Sequence, residues 1–202
     1  MKRSIIQIIK KIIHLGDVYK KTDYGQLGEC SHVSATTTIS NPKNVFLADH
    51  VQIGENAILF ATNAKIIIKR YFISADGLKI ATGQHERRIG RFLGSINESE
   101  KNHNIGLDQD VIINEDVWTG FNVCIMAGVE IGRGCTIAAG SVVTKSLPPY
   151  TVCAGVPAKP IKCYWSIDQI LQHEKVLYDE KDRISREELE TVFAIISASS
   201  SK

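Results

Sequence analysis

Of the six histidines in the 202-residue chain, His85 is the one whose setting suggests chemistry. It stands in Thr82-Gly-Gln-His85, between two stretches of regular repeat. A neutral imidazole with a pKa near its ordinary value can take a proton from a reacting hydroxyl or amine. The other reading of His85 is a solvent-exposed loop histidine. His14, His32, His50, His103 and His173 have no comparable setting and read as surface residues. Directly after His85, residues 86–109 carry Arg87, Arg88, Arg91, Asn97, Asn102 and Asn104, a run rich in basic and amide side chains. A break of that length is too long for a passive turn, and loops of that length are often functional. The five cysteines are spread along the chain, with Cys124, Cys135 and Cys153 in apolar or glycine-rich surroundings. They read as reduced, mostly buried thiols of a cytoplasmic protein and not as a disulfide framework. No CxxC or HExxH spacing points to a metal.

The element that positions His85 is a six-residue repeat. Val111, Val117, Val123, Val129, Cys135 and Ser141 form one ladder. Ile113, Thr119, Ile125, Ile131, Ile137 and Val143 form a second, two residues on. Val45, Val51 and Ala57 with Leu47, Ile53 and Leu59 show the same spacing earlier, and it resumes out of phase at Ile66, Phe72 and Leu78. A period of six keeps each ladder on one face of an extended chain and scatters it around a helix. The glycines and β-branched residues in the repeats also oppose a helix. Short strands joined by turns every hexad describe a parallel β-helix, which buries its core only by stacking and needs capped ends. The period slips by three residues near Ala61 to Ala64.

Both ends read as helical. Ile5, Ile9 and Ile12 share a helical face near Lys2, Arg3, Lys10 and Lys11. That helix either packs on protein or makes a peripheral membrane contact through residues 1–21. Ser166-Ile-Asp-Gln169 and Ser185-Arg-Glu-Glu188 fit capping boxes, with Ile167, Ile170 and Leu171 on one helix and Leu189, Val192, Phe193 and Ile196 on the next. The acidic run at Asp179, Glu180 and Asp182 reads as solvated surface, and the serines from Ser197 as a frayed tail. The division is an N-terminal helical segment 1–30, a β-helix 31–162 with the loop 86–109 inserted, and a C-terminal helical tail 163–202. Lys plus Arg is 24 against 22 for Asp plus Glu, a net charge of +2 that offers no electrostatic case for nucleic acid. No apolar run reaches the roughly 18 residues of a membrane span.

The stretch Ile113-Asn-Glu-Asp-Val-Trp-Thr-Gly-Phe-Asn-Val-Cys-Ile-Met-Ala-Gly-Val-Glu-Ile-Gly resembles the hexapeptide-repeat acetyltransferases. So do Ala139-Gly-Ser-Val-Val-Thr-Lys145, Leu147-Pro-Pro149 and Ala154-Gly-Val-Pro-Ala-Lys-Pro-Ile-Lys162. The set is similar to the branch of galactoside and maltose O-acetyltransferases and the acetyltransferases of surface-polysaccharide synthesis. The resemblance covers residues 45–190. It implies a left-handed parallel β-helix with N- and C-terminal helices, assembled as a homotrimer with sites between subunits, and acetyl-CoA as donor. The reaction it implies is O-acetylation of a saccharide or surface-glycan precursor, with N-acetylation of an amino sugar or antibiotic as the alternative. His85 corresponds to the family's base and Trp118 to its cleft tryptophan. Gly120 and Phe121 correspond to backbone donors for the reacting carbonyl, and Asn63 lies near an acceptor contact. Ala139 and Thr144 correspond to pantetheine contacts, and Lys159 and Lys162 to basic positions that meet CoA phosphates. Glu86, Glu100 and Asp108 are all open as the acid that orients the histidine ring.

Overall fold

A computed structural model describes residues 19–102 and 106–200. The proposed N-terminal helix and membrane contact fall almost wholly outside the described residues, as do His14, His103 and Asn104. Strands alternate among three sheets as the chain winds. The first sheet holds β1 (Gln26–Leu27), β4 (Val45–Leu47), β7 (Ile66–Ile68), β10 (Val111–Ile113) and β13 (Glu130–Ile131). The second holds β2 (His32–Val33), β5 (Gln52–Ile53), β8 (Ile73–Ser74), β11 (Trp118–Thr119), β14 (Thr136–Ile137), β16 (Thr151–Gly155) and β17 (Ala158–Cys163). The third holds β3 (Thr38–Ile39), β6 (Ile58–Phe60), β9 (Lys79–Ala81), β12 (Cys124–Ile125) and β15 (Val142–Val143). Every pairing is parallel except β16 with β17, which closes the stack as an antiparallel hairpin. This is a left-handed parallel β-helix. It starts earlier than expected: β1 pairs with β4 inside the segment assigned to the N-terminal helix.

The hexad ladders are the core. None of the ladder residues named above is more than 2% exposed. Register shows where the period breaks. Ile113 pairs with Ile131, eighteen residues on, and that is the plain coil. Leu47 pairs with Ile68, twenty-one on, so the slip at residues 61–64 is absorbed as three extra residues in one corner. Ile68 pairs with Ile113, forty-five on, with the long insertion between β9 and β10. The inward pattern resumes unchanged after each break, because a shift of a single residue would turn every core side chain to solvent.

Two helices follow. Helix α1 (Ile167–Leu177) and helix α2 (Arg186–Ser200) both start with the expected capping boxes. Ser166 Oγ accepts from the Gln169 N–H at 3.3 Å, and Glu188 Oε2 accepts from the Ser185 N–H at 2.8 Å. Ile170 and Leu189 are buried against Tyr150, the face the periodicity assigned. The serine-rich end is not frayed at Ser197: α2 continues to Ser200, and the Ser197 hydroxyl donates back to the Phe193 carbonyl at 3.0 Å. Of the five free cysteines, Cys135 and Cys153 are buried and Cys30 is exposed. Burial pushes the Cys135 thiol up to about 12, which makes it unreactive.

One carboxylate fastens the helices to the last coil. Glu174 of α1 is fully buried. It accepts from the Tyr150 hydroxyl, from Arg133 Nη1 at 3.4 Å and from the Ile184 N–H at 3.2 Å. Burial, and then the Glu174 carboxylate, hold the Tyr150 phenol far above its ordinary pKa, so it remains a donor. Removing one partner of such a network strands the others in a dry site. Glu174→Ala is therefore expected to cost about 3–5 kcal/mol in urea unfolding. A loss within the roughly 0.5 kcal/mol of an ordinary surface substitution would contradict this account.

Candidate functional site

The insertion is zipped at its base. Gly83 and Asp108 form an antiparallel bridge, and the Gln109 N–H donates to the Thr82 carbonyl at 2.8 Å. Its interior is held by ion pairs. Glu86, 8% exposed, accepts from Arg88 Nε at 2.6 Å and from the Asn102 N–H at 2.8 Å. Asp108 accepts from Lys101 Nζ at 2.7 Å and from Asn63 Nδ2 at 3.2 Å, and Asn63 also donates to Glu98 at 2.8 Å. The Lys101 side chain is 7% exposed, so Asp108 is its compensating charge in a nearly dry position. Glu100 accepts from the Asn97 N–H at 3.1 Å and pairs with Arg91, which together draw its pKa below the usual carboxylate range.

His85 is exposed at the mouth of a cleft of about 190 Å³ that this network lines, with Asn63, Thr82, Glu98, Lys101 and Asp108. The structure thus brings together His85 and Asn63. It does not select the acid that orients the ring. Glu86, Glu100 and Asp108 are each engaged by the loop's own cations and amides, and no described residue hydrogen-bonds the His85 imidazole.

The other expected site residues lie elsewhere on the same chain. Trp118 is 48% exposed on the outer face of the second sheet, between Ile73 and Thr136. Gly120 sits at the next corner, where a Cβ would stand 2.7 Å from the Ala139 nitrogen, so only glycine fits between these coils. Its N–H is spent on the Ile137 carbonyl at 2.8 Å and is not available to a substrate oxygen. The neighbouring Phe121 N–H makes no hydrogen bond among the described residues, and at this corner it is the candidate oxyanion donor. Ala139 is exposed beside it, and Thr144 is exposed just after β15. Lys159 lies on β17 in an open cleft of about 550 Å³ with Lys145, Pro148 and Pro149. Lys162, also on β17, stands 5.7 Å from the Tyr164 ring centroid. Within one chain, His85 is at the corner between the third and first sheets, while Trp118, Phe121 and Ala139 gather around the corner between the second and third.

Sequence reasoning missed two features. Lys101 has no motif to mark it; only the fold sets it against Asp108. His173 is not a plain surface residue: its ring lies 4.8 Å from Trp165 and edge-on to Tyr150 at 6.1 Å. Among the described residues, no group of three or more His, Cys, Asp or Glu side chains could hold a metal ion.

Residues 110–145 match the family model described as bacterial transferase hexapeptide (six repeats). The chain is 31% identical over 144 residues to WbbJ of Escherichia coli strain K12, named for O-acetyl transfer in lipopolysaccharide biosynthesis. That match covers 67% of this chain and 65% of WbbJ. A maltose O-acetyltransferase from Clostridium difficile 630 is 25% identical with a TM-score of 0.57, covering 79% of this chain and 86% of that one. A hexapeptide-repeat acetyltransferase from Vibrio cholerae O1 biovar eltor, solved with acetyl coenzyme A, is 24% identical with a TM-score of 0.60. It covers 79% of both chains and attests the fold. The chain spans between 30% and 65% of the lengths of the first four curated relatives that it matches.

Since Asp108 neutralises Lys101 and ties Asn63 to the loop base, Asp108→Ala is expected to open the insertion. Trypsin should then cut after Arg87 or Arg91 on the order of tenfold faster, while the far-ultraviolet spectrum keeps its β-helix form. Wild-type cleavage rates in the variant would contradict the role given to this pair.

Proposed function

We propose that this chain, whose residues 110–145 match the bacterial transferase hexapeptide model, moves an acetyl group from acetyl-CoA to a hydroxyl of a saccharide or surface-glycan precursor. The observation that carries the reading is the exposed imidazole of His85, without a hydrogen bond among the described residues, at the mouth of a polar cleft in a chain that carries the transferase repeat. WbbJ and the maltose enzyme, both named for O-transfer, support a hydroxyl acceptor. An amine of an amino sugar or antibiotic is the second acceptor class, and an acceptor screen with paired hydroxyl and amino sugars separates the two.

In the proposed step, His85 takes the proton of the acceptor hydroxyl as its oxygen attacks the thioester carbonyl. The oxyanion of the tetrahedral intermediate is met by the Phe121 N–H. Collapse breaks the C–S bond, and the proton passes from His85 to the departing CoA sulfur. Trp118 walls the cleft, and Asn63 holds the acceptor. Ala139 and Thr144 pass the pantetheine arm, where the small Ala139 side chain allows close approach. Lys159 and Lys162 meet the CoA phosphates.

This division of labour requires more than one chain, because His85 and the Trp118–Phe121 corner are at different corners of one prism. A homotrimer unites them, His85 of one subunit facing the Trp118 corner of the next. Support comes from the outer face of the third sheet, where Ile58 and Phe60 are 41% and 53% exposed and available for a neighbouring copy to cover. Five free thiols fit the cytoplasm, and no helix among the described residues is long and apolar enough to cross a membrane.

Sedimentation should give three times the 22.3 kDa chain mass; an active monomer would overturn the shared site. His85→Ala is expected to lower kcat by roughly 10²–10⁴-fold with the trimer intact, and near-normal turnover would remove the base from the mechanism. Lys159→Ala with Lys162→Ala should raise KM for acetyl-CoA by about tenfold and change KM for acceptor little. Equal losses toward both substrates would count against the donor assignment.

A further inference from the structure

We infer that the corner between the first and second sheets, roofed by α1, is a saccharide-binding cleft distinct from the His85 pocket, taking a sugar ring against Tyr71 and its hydroxyls on Glu115 and Asp116. The cleft encloses about 640 Å³, within the usual range for small-molecule sites. None of its lining residues lines the His85 pocket.

Its floor is a pair of aromatic rings, one from each of two successive coils. His50 and Tyr71 stack with centroids 4.8 Å apart and planes within 3°. Both take the left-handed conformation, φ 59° and 63°, which bulky side chains adopt at a cost. Tyr71 is nevertheless 53% exposed, so this corner displays the ring to solvent and does not bury it. Ile73 on β8 and Leu177 on α1 extend the apolar lining.

Two polar atoms of residues that line the cleft lack partners. Glu115 Oε2 and His173 Nε2 are shielded from solvent, yet neither has a hydrogen-bond partner among the described residues. Such atoms cost free energy unless something binds them. Asp116 lies beside them, and burial raises its pKa. A sugar meets these requirements together. Its C–H face packs on an aromatic ring, its hydroxyls donate to carboxylate oxygens, and a hydroxyl can donate to or accept from an imidazole nitrogen. A nucleotide or phosphate would meet two carboxylates, and the guanidinium of Arg70 is directed toward the Tyr178 ring at 5.9 Å.

The assignment concerns binding and stands whether or not acetyl transfer does. The test is an array of neutral and N-acetylated oligosaccharides probed with the full chain without acetyl-CoA, with dTDP and inorganic phosphate as anion arms, followed by calorimetric titration of the retained glycan. Wild type and His85→Ala should bind at least one neutral oligosaccharide alike. Tyr71→Ala, Glu115→Gln and Leu177→Arg should each weaken it by about tenfold, and Tyr71→Phe should restore the stacking and the affinity. Thermal unfolding of each variant reports its fold, and Leu177, 52% exposed on α1, can change without touching the core. Retention of no oligosaccharide, preference for the anions, or wild-type affinity in Tyr71→Ala and Leu177→Arg would overturn the assignment. Loss of binding in His85→Ala would do the same, because the glycan would then occupy the His85 pocket. Failed acetyl transfer with Tyr71-dependent binding intact would reject the proposed reaction and leave this cleft standing.

Discussion

Each coil of this protein has an inner face that is apolar only because the next coil covers it. Leu47, Ile68, Ile113 and Ile131 lie one above another in the first sheet, each fully or almost fully buried, and each joined to the next by parallel register. A coil taken alone would expose that column and leave its strand amides unpaired. Everything else in the molecule depends on this stacking, including the corners where side chains can be displayed and the direction in which the chain leaves them. A side chain placed on a corner is held by strands on both sides and by coils above and below. That makes the corners, with the strand ends beside them, places where side chains are held and displayed.

The same constraint accounts for where extra chain is tolerated. Three residues in one corner and a much longer segment between β9 and β10 pass without disturbing the inward ladders, because the strands on either side keep their register. The long segment is not slack. Its base is bridged, and its buried charges are paired with one another, Glu86 with Arg88 and Lys101 with Asp108. None of the loop's described apolar side chains is buried, and Ile89 and Phe92 are fully or largely exposed, so it holds its shape through such pairs, and the arrangement leaves His85 outside them, exposed at the cleft. At the opposite end Glu174 does the corresponding work for the helices, joining α1, the turn before α2 and the last coil in one buried polar cluster.

Much of this was legible in the chain itself. The β-helix, its inward residues, the three-residue slip, the insertion and both capping boxes follow from local rules: a period that is a multiple of two, β-branched residues in repeats, and serine three residues ahead of Gln or Glu. What could not be read were contacts between residues far apart in the chain with no periodic relation. Lys101 against Asp108 lies inside an insertion that has no repeat to set its register. The Gly120 and Phe121 N–H groups were both expected to face substrate, but the ladder claims the first for the Ile137 carbonyl, while the second makes no hydrogen bond among the described residues, a distinction that only the coil stacking determines. His173 read as surface because nothing in its own helix shows that Tyr150 and Trp165 will close around it.

The amino-acid sequence by itself determined the architecture, because six-residue periodicity, turn glycines and capping residues act over a few neighbours and repeat often enough to leave one reading. It also marked a candidate for chemistry, since the Thr82-Gly-Gln-His85 setting at a break in a regular repeat is visible without coordinates. Only the tertiary structure decided how those side chains are distributed: His85 and Asn63 at one corner, Trp118, Phe121 and Ala139 at another, and the His50–Tyr71 stack with Glu115 and His173 at a third. The physical reason is that strand pairing between coils, and not distance along the chain, sets which residues share a corner: extra residues are absorbed locally, so spacing alone does not say which side chains meet.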